Sequence, residues 1–116
     1  MGRDKSTQKT ELLPGTLEML ILITLERSTT PMHGYGIALY LKQTSREMLQ
    51  VEEGSLYPAL QRLAVKGWVS AAWGQSENNR RARYYQLTPA GRKQLTQEVA
   101  NFGRLLEAIL LVVEPA

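Results

Sequence analysis

The apolar positions along the chain fall into groups separated by glycine, proline and polar residues, and the spacing within each group predicts an element. The first group, in "LLPGTLEMLILITLE", opens with Pro14 and Gly15 as a breaker and Thr16 as a candidate N-cap. The run behind them is apolar on nearly every face, which predicts a buried helix ending near Arg27. "RSTTPMHGYG" reads as a turn, because Pro31 cannot continue a helix and Gly34 and Gly36 loosen the next start. Ile37, Tyr40 and Leu41 then recur at three- and four-residue spacing, predicting a short amphipathic second helix with Lys42 toward its exposed side.

"QVEEGSLYPALQRLAVKGW" predicts a third helix, with Gly54 and Ser55 as cap candidates and Pro58 within the first turn, where a missing N–H costs least. Its apolar stripe is Leu56, Leu60 and Leu63, which leaves Pro58, Gln61, Arg62 and Val65 on the opposite face with Ser55 and Tyr57 flanking. Lys66 suits the last turn and Gly67 the C′ position. "WVSAAW" and "RYYQLT" are short and rich in β-formers, and "GQSENNRRA" joins them with turn-favouring residues, predicting a two-stranded hairpin. Tyr84 and Tyr85 point to opposite faces of their strand, so one belongs to the core and the other to the surface.

Thr88-Pro89 resembles an N-cap with proline at N1 and opens a last helix of about 25 residues. Along it Leu95, Val99, Phe102, Leu106, Ile109 and Val113 alternate spacings of four and three, the rhythm of a coiled-coil seam, and Leu105 and Leu110 widen the stripe. So broad a stripe, placed after the core is assembled, predicts an interface between two chains, isologous in a symmetric homodimer. The alternative for the same residues is a helix lying on its own domain's core.

Composition narrows the chemistry. The 116 residues, 43% hydrophobic and 22% charged, suit one small globular domain. A chain of this size buries a modest share of its surface, which again favours a partner chain. The absence of cysteine removes disulfides, thiolate metal ligands and a cysteine nucleophile. No apolar stretch is long enough to span a bilayer, so no membrane partner is expected and the protein reads as cytoplasmic. Residues 1–11 read as a flexible polar arm; Gly2 and Ser6 within it fit the loose N-myristoylation pattern, which nothing else supports.

The net charge of +3 is modest, and its distribution says more than its total. Arg80, Arg81, Arg83, Arg92 and Lys93 crowd together against Glu77 alone, with the three arginines on what reads as a loop tip. The sole histidine, His33, has no catalytic constellation or metal-ligand set around it and is expected to shape a helix start; no enzyme activity and no cofactor are expected. Trp68 and Trp73, beside the hairpin, are expected to pack as hinges of the core.

Three helices followed by a hairpin is the order of a winged helix-turn-helix, whose third helix enters the major groove while the wing reaches the flanking backbone. The expected fold is therefore mainly α with a small β-hairpin: a winged helix-turn-helix over residues 12–88 (three helices and a two-stranded wing) and a C-terminal dimerisation helix over 89–114. Arginines at a wing tip suit a line of phosphates, since a guanidinium makes forked hydrogen bonds and displaces condensed counterions. The candidate DNA-binding residues are Ser55, Tyr57, Pro58, Gln61 and Arg62 on the third helix and Arg80, Arg81 and Arg83 on the wing. For Tyr57 a place in the core against Leu56 and Leu60 stays equally open.

"HGYGIALYL", "VEEGSLYPALQRLAVKGWV" and "RRARYYQLTPAGRKQL" together resemble the PadR-type transcriptional regulators, over nearly the whole chain from about Leu12 onward. The resemblance implies a homodimeric winged-helix protein that binds double-stranded DNA, usually a repressor, with much of its dimer interface in the last helix. It also implies that Ser55, Leu56, Tyr57 and Pro58 open the recognition helix, that Arg80, Arg81 and Arg83 occupy the wing, and that Thr88 and Gly91 serve the turn into the last helix. Some relatives release DNA on binding an aromatic small molecule between subunits; this chain's last helix offers Phe102 but no tryptophan, and its effector is unknown. The rival from another class is a winged-helix protein-interaction module that presents its basic face to an acidic partner.

Overall fold

The computed structural model describes residues 12–114, so the arm over 1–11, with Gly2 and Ser6, lies outside the described residues. Its elements run α1 (Pro14–Arg27), β1 (Met32–His33), α2 (Gly34–Thr44), α3 (Glu53–Val65), β2 (Val69–Gln75), β3 (Arg81–Leu87) and α4 (Pro89–Val113). The mainly helical winged helix-turn-helix with an extra C-terminal helix is the fold that the hydrophobic pattern predicts. One element is new: the segment expected to be only a turn contributes β1, making a three-stranded antiparallel sheet in the order β1-β3-β2. Met32 pairs with Tyr85 and His33 with Tyr84.

The core lies where α1, α2 and α3 meet the base of the sheet. Leu17, Ile21 and Leu22 of α1, Ile37 and Leu41 of α2, and Leu56, Leu60 and Leu63 of α3 are buried there with Val69 and Tyr85. Tyr85 is thus the core member of its pair, and Tyr84 stays half-buried on the other face.

Local chemistry fixes the element ends. α1 starts earlier than expected: Pro14 occupies the first turn rather than breaking the chain, and the N-cap is Leu13, with no side-chain hydrogen bond. At α2 the imidazole of His33 accepts the Gly36 N–H at 3.0 Å, the helix-start role expected of it. α3 also starts earlier, at Glu53 with Glu52 as N-cap, so Gly54 and Ser55 lie in its first turn and Pro58 falls inside the helix. Pro58 therefore leaves the Gly54 carbonyl without its intrahelical donor, at a position exposed to solvent.

The end of α3 follows from Gly67. Its φ of +79° lets the chain turn through the left-handed region, while its N–H donates to the Ala64 carbonyl and the Trp68 N–H to the Leu63 carbonyl, both at 3.0 Å. That paired arrangement closes the helix and aims the chain directly into β2. At the far end of β3, Thr88 caps α4 by accepting the Gly91 N–H at 3.0 Å, with proline at the first helical position as expected.

Candidate nucleic-acid interface

Geometry of the third helix. The stripe of Leu56, Ala59, Leu60 and Leu63 seats α3 on the core, and this places Ser55, Tyr57, Pro58, Gln61 and Arg62 at the surface. Tyr57 divides between the two readings left open for it. The residue is 45% exposed, yet its ring lies against Gly34, where an added Cβ would come within 2.7 Å of it. Burial first, then the Glu53 carboxylate and Tyr85, hold its hydroxyl above the ordinary tyrosine pKa. At neutral pH it is therefore a phenol able to donate a hydrogen bond to an anion.

Arg62 has a second task. Its Nε donates to Glu18 Oε2 at 2.6 Å, and Lys66 Nζ reaches Glu18 Oε1 at 3.3 Å. Glu18 sits on α1 with its side chain only 10% exposed, while those of Arg62 and Lys66 are half open to solvent. An acid within so apolar a helix needs cations above it, and these two bind α3 to α1 through it. The half-exposed partners limit its value, so Glu18→Ala is expected to cost about 1–2 kcal/mol in a urea titration. A cost near zero would show that packing alone holds the two helices together.

The wing is built from β2 and β3 paired from Val69 with Leu87 to Gln75 with Arg81. The turn between them is tight: the Ser76 N–H donates to the Arg80 carbonyl at 2.8 Å and the Asn79 N–H to the Ser76 carbonyl at 2.9 Å. Asn79 takes a φ of 60°, a conformation asparagine tolerates well. Only Arg80 lies at this tip. Arg83 stands in β3, as the predicted strand has it, and Arg81 belongs to the same strand, a correction to its expected place in the joining loop.

The three wing arginines are exposed, and none of them is ion-paired with a carboxylate among the described residues. Instead Arg81 and Arg83 stand over the ring of Trp73, with Cζ 4.6 and 5.7 Å from its centroid. Trp73 is 57% exposed, which overturns its expected role as a hinge of the core. The reason is register: Trp73 faces Arg83 two pairs beyond the point where Tyr85 enters the core, so the wing has already left the body of the protein. Trp68, at the start of the hairpin, does pack against the core and lies under Lys66 Nζ at 4.8 Å. Arg92, counted with the wing arginines in the same cluster of positive charge, is on α4, 3.6 Å from Glu26 of α1.

Along α4 the candidate interface residues separate into two groups. Leu95 is 3% exposed within the chain's own core, so it is not available to a partner, and the alternative reading of the stripe holds for this residue. Val99, Phe102, Leu106, Ile109 and Val113 are exposed, as are Leu105 and Leu110 beside them. Among the described residues no cluster of potential metal ligands occurs, and no helix is long and apolar enough to cross a membrane.

Comparison with known proteins agrees with this arrangement. The family described as "Transcriptional regulator PadR-like family" matches residues 21–97. Among solved structures, a transcriptional regulator from Clostridium thermocellum is similar at 26% identity and a TM-score of 0.78, over 86% of this chain and 95% of its own. A PadR-like transcription factor from Bacteroides fragilis is 31% identical with a TM-score of 0.68, over 85% of this chain and 91% of its own. A PadR family transcriptional regulator from Eggerthella lenta is 26% identical with a TM-score of 0.74, over 88% and 85% respectively.

Proposed function

Because the chain belongs to the PadR-like family of transcriptional regulators, DNA-binding proteins rather than enzymes, we propose that it acts as a homodimeric repressor on an inverted-repeat operator. The observation that carries the DNA-facing assignment is the wing: three exposed arginines without carboxylate partners, following directly on a helix with a polar outer face. In this reading residues 12–88 form the DNA-binding unit and 89–114 the dimerisation helix, and the protein works in the cytoplasm.

On α3, Ser55, Tyr57, Pro58 and Gln61 face the major groove, with Gln61 suited to an adenine edge and the two hydroxyls to phosphate or base. Arg62 joins them only in part, since its Nε is committed to Glu18 and the remaining N–H groups are left for phosphate. Two such helices in a symmetric dimer would meet half-sites about one helical turn apart. The exposed apolar face of α4, continued by a groove lined with Leu13, Met19, Phe102 and Leu105, receives the partner's helix.

Selection of bound duplexes from a random pool tests the whole reading. An enriched inverted repeat with half-sites about ten base pairs apart supports it, and enrichment of no sequence by a folded protein overturns it. The wing is tested separately. Arg81→Ala is expected to weaken DNA binding and to lower the slope of log affinity against log salt by about 1. An unchanged slope would remove Arg81 from the phosphate contacts.

A further inference from the structure

Trp73 is the largest exposed aromatic surface on the wing, and nothing in the chain's own fold requires it there. Every other large apolar side chain at the base of this sheet face, Val69, Tyr85 and Leu87, turns into or against the core. Its neighbours suggest its use. Arg83 lies directly across the ladder and Arg81 two residues along, and both guanidinium carbons lie within 6 Å of the indole ring. A guanidinium stacked on an aromatic ring spends its face on the contact and keeps its N–H donors, which lie in its plane, free for acceptors.

The back of the wing is stiffened as well. Tyr84 lies on the opposite face against Gly74, where an added Cβ would come within 3.0 Å of its ring, and its hydroxyl donates to the Gln75 carbonyl at 2.9 Å. The two neighbours that follow Trp73 on β2 are therefore packed from the other face of a narrow two-stranded ribbon.

Resting on the DNA-binding reading above, we propose that the Arg81–Trp73–Arg83 stack is a minor-groove reader that makes the protein prefer A·T-rich DNA where the wing touches it, with Trp73 as the positioning residue. The chemistry favours that groove. A·T tracts narrow it and deepen its negative potential, which draws in arginine, and its floor there carries acceptors only, matching a fork that carries donors only. A flexible arginine gains from this potential too, but one already aligned loses less freedom on entering. Phosphate contact alone would not distinguish base composition, so this is a source of selectivity separate from α3.

The test compares the full-length protein with Trp73→Phe and Trp73→Ala, using labelled poly(dA)·poly(dT) and poly(dG)·poly(dC) duplexes at one low salt concentration and anisotropy as the readout. Because Trp73 is exposed, circular dichroism melts of the three proteins are expected to coincide. The wild type should favour the A·T duplex, Trp73→Ala should lose about two- to fivefold of that ratio, the size of an exposed cation–π contact, and Trp73→Phe should keep most of it. The salt slope should be the same in all three, since no charge is removed. An A·T to G·C ratio unchanged in Trp73→Ala, or a wild type that binds both duplexes equally, overturns the inference and leaves DNA binding standing. A wild type that binds neither duplex overturns both.

Discussion

Gly91→Ala is expected to lower the melting temperature by about 10 °C or more, or to prevent folding. A Cβ on Gly91 would stand 2.0 Å from the Trp68 carbonyl oxygen and 2.8 Å from Leu87 Cδ1. The leucine can rotate away, but the carbonyl cannot. It accepts the Thr88 N–H at 3.2 Å, and Thr88 is itself tied by a hydroxyl that donates to the Gly67 carbonyl at 2.8 Å while accepting the Gly91 N–H.

Relieving the clash therefore means moving the first turn of α4 away from the end of α3, with loss of the cap and of the packing around Leu95. Overpacking a tight site costs about 1–3 kcal/mol when side chains can adjust, and more when backbone must move. Gly103→Ala is the matched control: it lies in the same helix with nothing within 4 Å of an added Cβ. That variant is expected to be more stable by about 0.5–1 kcal/mol, because alanine is the better helix former. Equal melting temperatures for the two variants would refute the close approach at Gly91.

Much of this architecture is legible without coordinates because it is set by local rules. Thr88 with Pro89, Gly67 after Lys66, and the Leu56, Leu60 and Leu63 stripe each act within a few residues, and each stands in the structure where its chemistry puts it. What escapes is what depends on distant neighbours. β1 has two residues, too few to carry a period, and exists because β3 offers it a pairing edge. Glu18 stands out in the sequence only as an acid inside an apolar run; its partners, Arg62 and Lys66, are more than forty residues away.

The candidate site divides the same way. The polar outer face of α3 follows from helical spacing, but the commitment of Arg62 to Glu18 does not. Trp73 shows the limit of composition: a tryptophan beside a hairpin usually belongs to the core, and only the register reveals that this one lies beyond it. Leu95 shows the limit of periodicity, since a seven-residue rhythm runs unbroken from a residue that packs at home to residues that do not.

That break along α4 makes the second large effect testable. Ile109→Glu is expected to convert the proposed dimer to a monomer while leaving the fold of the monomer intact. Ile109 is exposed in the single chain and lies fourteen residues beyond Leu95, the last α4 side chain in the core, so the substitution costs the isolated protein almost nothing. In an isologous interface it acts twice, removing two apolar side chains and facing two carboxylates toward each other. At about 2 kcal/mol or more for each copy, the dissociation constant should rise by a factor of about 1,000 or more. Operator affinity should fall with it by about 100-fold or more, because each half-site must then be bound without help from the other. Sedimentation velocity reads the first effect and a shift assay the second. Leu111→Glu supplies the control, since two residues place it about 200° around the helix from Ile109, away from the seam. A dimer lost in Ile109→Glu and kept in Leu111→Glu locates the interface on the Val99, Phe102, Leu106, Ile109 and Val113 face, whereas a dimer that survives Ile109→Glu places it elsewhere.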